Sequence, residues 1–567
     1  MGRRSRRARP GPGRGVSEGA LNPAARAAAV ERLARERLDV LVVGGGITGA
    51  GIALDAATRG LSVALVEAGD LALGTSSRSS KLIHGGLRYL EMLDFGLVRE
   101  ALRERRLLLT RLAPHLVRPV EFMFPLRHRV WERPYLGAGL LLYDSMGGAA
   151  HLPRARHLSR RSALAAAPAL RPDSLVGAVR FSDAQEDDAL YTAYAARTAA
   201  ANGAAIVTRM RVTGLTRDET GRVTGATVRD VAGGRTLEVA ARHVIAAVGV
   251  ATDRILELGD GRPHRELRPS KGVHLIVPRS AIPMRAGLFM RTEKSIFHAI
   301  PWGDRHWLLG DTDTEWDGEP DLPLANRTDV DYVLGKVNSV LLRPVDRHQI
   351  CGVFAGLRPL VAAAGAADTT RLSREHRLFS PAPGLTAIAG GKYTTYRVMA
   401  RDAVDAAARD LGSSAPSVTA RVPLVGAGPP PAGARLGARH GSCAGEVAAL
   451  AESDPALALP LPGADHYAAA EAVHACTHLG ALDLDDVLTR RTRVSIEAAD
   501  RGRAAAAAVA PLIAPVLAWS DARTAEELDR YLRLRDAEQA AESAADDASA
   551  AAAYGAVMAG QARAPGP

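Results

Sequence analysis

"LDVLVVGGGITGAGIALDAATRG", residues 38–60, joins a mainly apolar run to a glycine-rich turn and then to an alanine-rich stretch closed by Gly60. The pattern predicts a buried strand, a tight turn and a helix. Gly44, Gly46 and Gly49 hold the three glycine positions of G-x-G-x-x-G, with Gly45 and Thr48 between them. In that arrangement the first glycine permits the turn and the second lets the backbone approach a pyrophosphate. The third lets helix and strand pack closely, while the helix N-terminus presents free N–H groups to the anion. "LSVALVEAGD" (61–70) reads as a second strand ending at Glu67, where an acid can bind ribose hydroxyls and disfavours a 2′-phosphate. A tight strand–helix turn without a ligand is the alternative. It accounts for the glycines but not for Glu67 at the end of a second strand.

Working outward, the second strand runs straight into "GDLALGTSSRSSKLIHGGLRYLE" (69–91) instead of further strand–helix units. Its second half, "SSKLIHGGLRYLE" (79–91), is too polar for a core helix and too broken by glycine for a strand. "ARHVIAAVGV" (241–250) is another buried strand running into Gly249, and a third, at 386–391, ends at Gly391. Strands that return to one cofactor from such distant points suit a long ligand held along its whole length. FAD fits that description better than NAD.

The rest of the 567-residue chain sets limits. The length allows two to four domains, or one large two-domain enzyme with a terminal module. The formal charge of +10 is partly local, because residues 1–15 hold six arginines and no acid. Such Gly/Pro/Arg-rich sequence reads as a disordered tail or as an electrostatic attachment to an anionic membrane surface. Its arginine pairs are not followed by the apolar segment of a secretory or twin-arginine signal. Beyond the tail, basic residues alternate with acids and aromatics make up only 4%, which argues against nucleic acid as a partner. Cys351, Cys443 and Cys476 lie far apart, which excludes a disulfide framework or thiolate zinc site and fits a reducing compartment. No His/Asp/Glu cluster has metal-ligand spacing, and no apolar run reaches the ~20 residues of a spanning helix. The fold expected is α/β: a Rossmann-like FAD-binding domain, an inserted antiparallel-sheet substrate domain and a C-terminal α-helical domain. In residues, this means a disordered basic tail over 1–38 and an oxidoreductase region over 39–412. Within that region the FAD domain takes 39–130, 180–265 and 350–412, and the substrate domain mainly 131–179 and 266–349. A linker over 413–435, a helical domain over 436–530 and an Ala-rich acidic tail over 531–567 complete the reading.

The stretch from "GGGITGAGIALDAATRG" through "SSKLIHGGLRYLE", followed by "SKGVHLIVP" (270–278), "LLGDTDTEWDGEP" (308–320), "AGLRPLV" (355–361), "LSREHRL" (372–378), "GGKYTTYRVMA" (390–400) and "LDDVLTRRTR" (484–493), resembles the quinone-linked FAD-dependent glycerol-3-phosphate dehydrogenases over roughly residues 39–500. The resemblance implies oxidation of sn-glycerol 3-phosphate to dihydroxyacetone phosphate, with electrons passed to a membrane quinone. It also implies a cytoplasmic enzyme peripherally attached to the inner face of the cell membrane, possibly a homodimer. An oxidase producing hydrogen peroxide, or a weakly catalytic flavin-binding homologue, are the rival readings.

Oxidising a secondary alcohol needs a base for the hydroxyl proton, and a phosphate-bearing substrate needs fixed cations. His84 is the candidate base, with His274 the second choice, although either could be a structural histidine. Arg88 is a candidate phosphate or hydroxyl anchor, and Tyr89 an orienting hydroxyl. Arg358, Arg374, Lys392 and Thr395 are further substrate candidates; Arg374 and His376 could instead form a surface pair. Thr75, Ser76, Ser77, Ser80, Lys81, Leu82, His84, Gly85 and Gly86 are expected along the cofactor. Gly249, Gly391, Lys392, Tyr393 and Thr394 are expected there too. Arg490, Arg491 and Arg493 read as structural. The chain departs from the family at "AAVGVATD" (246–253), where Val248 stands in place of a usual threonine and Ala251 in place of a tryptophan.

Overall fold

The computed structural model describes residues 19–86, 94–128, 131–148, 151–231, 233–292, 296–362, 375–431 and 436–560. Arg88, Tyr89, Arg374 and residues 1–18 of the basic tail lie outside the described residues.

The strand Leu38–Val43 forms as expected, and its Val40, Leu41 and Val42 are fully buried. Burial on both faces is what a central parallel strand demands. Its neighbours are Val63–Val66 on one side and Thr236–Ala246 on the other, both parallel to it. Leu385–Gly390 adds in parallel next to Thr236–Ala246, and Ala205–Val207 next to Val63–Val66. The three glycine-ended strands therefore stand side by side, with their C-terminal ends at one edge. Helices Ile47–Thr58, Asp188–Ala201 and Tyr396–Leu411 pack together over this sheet. An antiparallel meander of Met210–Arg217, Val223–Asp230 and the start of Thr236–Ala246 continues from it.

The second sheet is mainly antiparallel. Within it Leu267–Pro278 pairs with both His306–Gly310 and Gly352–Val361. Val117–Leu126 and Gly177–Glu186 form its far half, and the short strand Leu82–Ile83 joins there. The "SSKLIHGG" segment thus leaves the nucleotide-binding sheet and enters the second one, which explains its broken pattern.

Strands 117–126 and 352–361, and the greater part of 177–186, were assigned by sequence to the flavin domain. They belong to the second sheet. Sheet membership is fixed by long-range pairing contacts that local pattern does not encode.

Two further expectations are corrected. Pro23–Arg35, counted within the disordered tail, is a helix capped by Asn22, with Leu33 only 1% exposed against the nucleotide-binding sheet. Residues 531–559, read as a solvated helix or an acidic tail, belong to two ordered helices, Asp521–Ser543 and Asp547–Ala559, that bury Tyr531, Ala541 and Ala550. In both, high alanine content hid a narrow buried stripe.

A separate core, including Val447, Val473, Leu488 and Val509, supports the helical C-terminal region. Arg490 and Arg491 both reach Asp70, just after the second strand, at 2.6 Å. Arg493 pairs with Asp187 at 2.6 Å and also with Asp188. These buried pairs make the arginine run a structural clamp between the C-terminal region and the nucleotide-binding domain. Burying them costs desolvation, so each is worth more for fixing the docking geometry than for net stability.

Candidate active site

At the turn, Gly44 has φ +108, and a Cβ there would lie 2.5 Å from the Ala247 carbonyl oxygen. A Cβ on Gly49 would lie 1.9 Å from the Gly44 carbonyl oxygen, so the helix can sit on the turn only as glycine. Gly46 occupies the N-cap of Ile47–Thr58 without a side-chain cap. Ser76 Oγ accepts from the Ile47 N–H at 3.0 Å, which brings the 75–80 loop to the helix N-terminus. The Glu67 carboxylate accepts from the N–H groups of Gly45 (2.6 Å) and Gly69 (2.7 Å). Burial raises its pKa, and these two donors oppose the shift. Gly249, with φ +57, completes the cradle in the departed segment, and Thr252 Oγ1 donates to its carbonyl at 2.7 Å. The turn therefore forms despite Val248 and Ala251.

A cavity of about 260 Å³ opens between the two sheets. Of the residues singled out in the sequence, Thr75, Ser80, Leu82, His84, Gly86, His274, Arg358, Gly391, Lys392, Tyr393 and Thr394 line it. Candidates from segments more than 300 residues apart thus share one wall.

His84 is held by its backbone, whose N–H donates to Thr394 Oγ1 at 3.2 Å. Gly85 donates to the Tyr143 hydroxyl at 2.9 Å, and a Cβ on it would lie 2.4 Å from that hydroxyl. Tyr143 in turn is bonded to Arg105 and Asp183, which pair at 2.5 Å. His274 Nε2 lies 3.0 Å from Ser80 Oγ, and its ring stacks on Phe354 with centroids 5.0 Å apart. Burial pushes its pKa down to about 3, with Asp311 opposing and Arg358 reinforcing the shift. It is therefore a neutral imidazole at pH 7. Its Nδ1 is buried without a partner among the described residues.

Arg358 donates to Asp311, to the Thr312 carbonyl at 2.9 Å and to Ser270 Oγ at 3.2 Å, with Asp313 3.7 Å away. Burial disfavours its charge, but Asp311 and Asp313 overcome that and raise its pKa. Burial likewise works against the Asp311 carboxylate. Arg358, then His274 and His298, outweigh it and bring the pKa to about 2. A Cβ on Gly272 would lie 2.5 Å from the Arg358 guanidinium, so that glycine makes room for the arginine across the strand pair.

Other candidates lie elsewhere. Lys81 is fully buried, donates to the Ser77 carbonyl at 3.0 Å and pairs with Asp188 at 2.8 Å, away from the cavity lining. Ser77 is buried, and Thr395 lies behind Lys392, donating to its carbonyl at 3.4 Å. His376 pairs with Asp402 at 3.0 Å. Arg78, Asp183, His298, Asp311 and Asp313 line the cavity without having been singled out as site residues. The two aspartates stood inside the quoted "LLGDTDTEWDGEP"; Asp183 and His298 had no signal beyond being polar in apolar runs. Among the described residues, one trio could ligate a metal: Glu446, His474 and His478. Its carboxylate already receives both Arg197 guanidinium nitrogens, at 2.6 and 2.8 Å.

A glycine-turn cradle next to a cavity lined by histidines and cations, with a substrate sheet inserted between its strands, defines a flavin-binding oxidoreductase. Comparison with known proteins agrees. The family profile "FAD dependent oxidoreductase" matches residues 39–397, and "C-terminal domain of alpha-glycerophosphate oxidase" matches 417–524. Glycerol-3-phosphate dehydrogenase 2 of Mycobacterium tuberculosis is 50% identical over 560 residues, covering 95% of each chain. The mitochondrial glycerol-3-phosphate dehydrogenase of Mus musculus is 36% identical over 537 residues, covering 87% of this chain and 72% of that one. The structure of glycerol-3-phosphate dehydrogenase from Bacillus halodurans, complexed with FAD, superposes with TM-score 0.73 at 27% identity, over 90% of this chain and 96% of that one.

The chain belongs to the FAD-dependent glycerol-3-phosphate dehydrogenase family, and FAD is its cofactor. The uncapped helix start at Gly46, the glycine cradle and the orphaned His274 Nδ1 all fit that group.

Proposed function

We propose that the protein oxidises sn-glycerol 3-phosphate to dihydroxyacetone phosphate and delivers the electrons to a membrane quinone. Bound FAD supplies the acceptor for the hydride from the secondary alcohol carbon. The observation that carries the reading is the convergence of His84, His274, Arg358 and Lys392 on one cavity beside the glycine cradle. In this reading His84 takes the hydroxyl proton, and His274, neutral and tied to Ser80, orients the alcohol or replaces it as base. Arg358 and Lys392 hold the phosphate, Arg358 through the planar fork that matches it. Arg88, Tyr89 and Arg374 are proposed to complete the anion site. The names of the mycobacterial and mouse relatives support the substrate. No helix of the described residues is long and apolar enough to cross a membrane, so quinone access would require peripheral docking.

One observation favours a second reading, in which oxygen replaces the quinone: the C-terminal profile carries the name of an oxidase. Adding glycerol 3-phosphate anaerobically to the purified holoprotein should bleach the flavin. Rapid reoxidation by a quinone analogue and slow reoxidation by oxygen are expected; the reverse order would assign the oxidase. Flavin that stays oxidised with substrate would leave only a binding protein.

A further inference from the structure

The family profile ends at residue 524, early in the helix Asp521–Ser543; that helix and Asp547–Ala559 pack against each other and over Leu324 in the segment leading to Arg327. Their connection is sewn to the start of the helix Arg327–Asn338. The Arg327 N–H donates to the Ala544 carbonyl at 2.8 Å, and Thr328 Oγ1 to the Ala545 carbonyl at 2.7 Å. Ala541 and Ala550 close over Leu324.

One contact reaches further in. Lys271 is buried in the strand Leu267–Pro278, its side chain 1% exposed. Its ammonium lies 2.7 Å from Asp329, against Asp547, and 5.4 Å from the Trp316 ring centroid. Asp547 also accepts from Asn326 Nδ2 at 2.7 Å. A buried ammonium needs carboxylates against it; Asp329 supplies one from the helix Arg327–Asn338 and Asp547 the second from the last helix, so docking of that helix completes the pairing of Lys271. Its neighbour Ser270 bonds to Arg358 at 3.2 Å and to Asp313, and three residues on the same strand presents His274 to the cavity.

We propose that Asp547 is a positioning residue for the substrate site. Through Lys271 it fixes the strand that carries Ser270 and His274, and through Ser270 the direction of the Arg358 guanidinium. The helix Asp547–Ala559 is thus a strap that completes the anion site from outside it. The inference rests on the reading of Arg358 as an anion anchor. Small misplacements of a positioning group cost rate or affinity steeply.

The test uses the full-length holoprotein and Asp547→Asn, which removes the charge at constant size. The expected result is a KM for glycerol 3-phosphate raised about tenfold, with kcat towards a dye acceptor and FAD per chain within about twofold. Asp547→Glu should restore most of the loss. An unchanged KM in Asp547→Asn, or a KM that stays raised in Asp547→Glu, would overturn the proposal. Inorganic phosphate titrated against flavin fluorescence gives a readout independent of turnover. If wild-type protein binds phosphate but never bleaches with glycerol 3-phosphate, the substrate reading fails while the strap is still judged by the phosphate affinity of Asp547→Asn.

Discussion

The His84 backbone N–H donates to Thr394 Oγ1, an anchor that a substitution of the ring leaves intact. His84→Asn is expected to keep flavin and substrate affinity and to slow flavin reduction by roughly 10²–10⁴-fold. An unchanged rate in stopped flow would move the proton to His274. Of the cavity's cations, Lys392 and Arg358 are the ones proposed to hold the phosphate. Lys392→Ala should weaken substrate binding by about 1.5–3 kcal/mol, the worth of a charge-assisted hydrogen bond. Arg358→Ala should do the same and also lower stability, because Asp311 and Asp313 are left facing each other without their cation. Plain glycerol should be a poor substrate; efficient oxidation of it would count against the phosphate assignment. Buried imidazoles also set a pH dependence. Burial lowers both His274 and His115 to about 3, His115 packed edge-on to Tyr194 at 5.5 Å. In the unfolded chain such a group titrates near its ordinary ~6.5. As pH falls from about 6.5 towards 3, the unfolded state takes up protons that the folded state refuses. Stability is thus lost across that window, by up to about 1.4 kcal/mol per pH unit for each group. Urea midpoints at pH 7 and pH 5 should therefore differ, and His115→Leu should narrow the gap. An equal gap in that variant would show that His115 is not the source.

At the scale of elements, the strand–turn–helix of residues 38–60 was legible because three independent signals coincide there. An apolar run, glycines at fixed offsets and an acid at the end of the next strand each have a separate physical cause. Gly49→Ala tests the close approach directly. Its Cβ would meet a backbone oxygen at 1.9 Å, which no rotamer change relieves. The expected result is a folded protein with little flavin absorbance per chain; full flavin content would refute the steric account. The glycine pairs of "HGG" and "GGK" were legible as close approaches, but their partners were not. Gly85 is glycine because of Leu102 and Tyr143, each 2.4 Å from an added Cβ, and nothing in the local sequence links Tyr143 to it. Lys81 shows the limit more sharply. Its neighbours suggested the cofactor, yet Asp188 claims it, and that pairing exists only once the second sheet has brought residue 188 alongside. The packing of the alanine-rich helices at either end was hidden for a related reason: alanine gives weak contrast between buried and exposed faces, so Leu33 and Ala550 carry burial that periodicity barely registers.

For the whole molecule, the open matter is how a protein without a spanning helix among its described residues would reach a quinone. Two features could serve, the basic N-terminus and the apolar run Leu136–Tyr143. The fold divides that run: Leu140 and Tyr143 turn inward, whereas Leu141 is 73% and Leu142 40% exposed. Trp131 and Tyr135 are also exposed, at 50% and 47%, on the same helical segment. Arg291 lies over the Tyr135 ring, 5.8 Å from its centroid. Aromatic and basic groups beside exposed leucines are the composition that favours a headgroup boundary. Basic residues near an anionic surface contribute about 1 kcal/mol each, screened by salt, while buried apolar area is insensitive to it. The two contributions can therefore be separated on the full-length protein. Deleting residues 1–17, which spares the packed helix Pro23–Arg35, should remove binding to anionic liposomes that high salt also removes. Leu141→Glu/Leu142→Glu should instead abolish the salt-resistant fraction and lower turnover with a liposome-borne quinone, while turnover with a soluble dye stays unchanged. If both variants sediment with liposomes as the unaltered protein does, this face is not the docking surface. If the unaltered protein ignores anionic liposomes at low salt and reduces oxygen rapidly, the quinone gives way to oxygen as the acceptor.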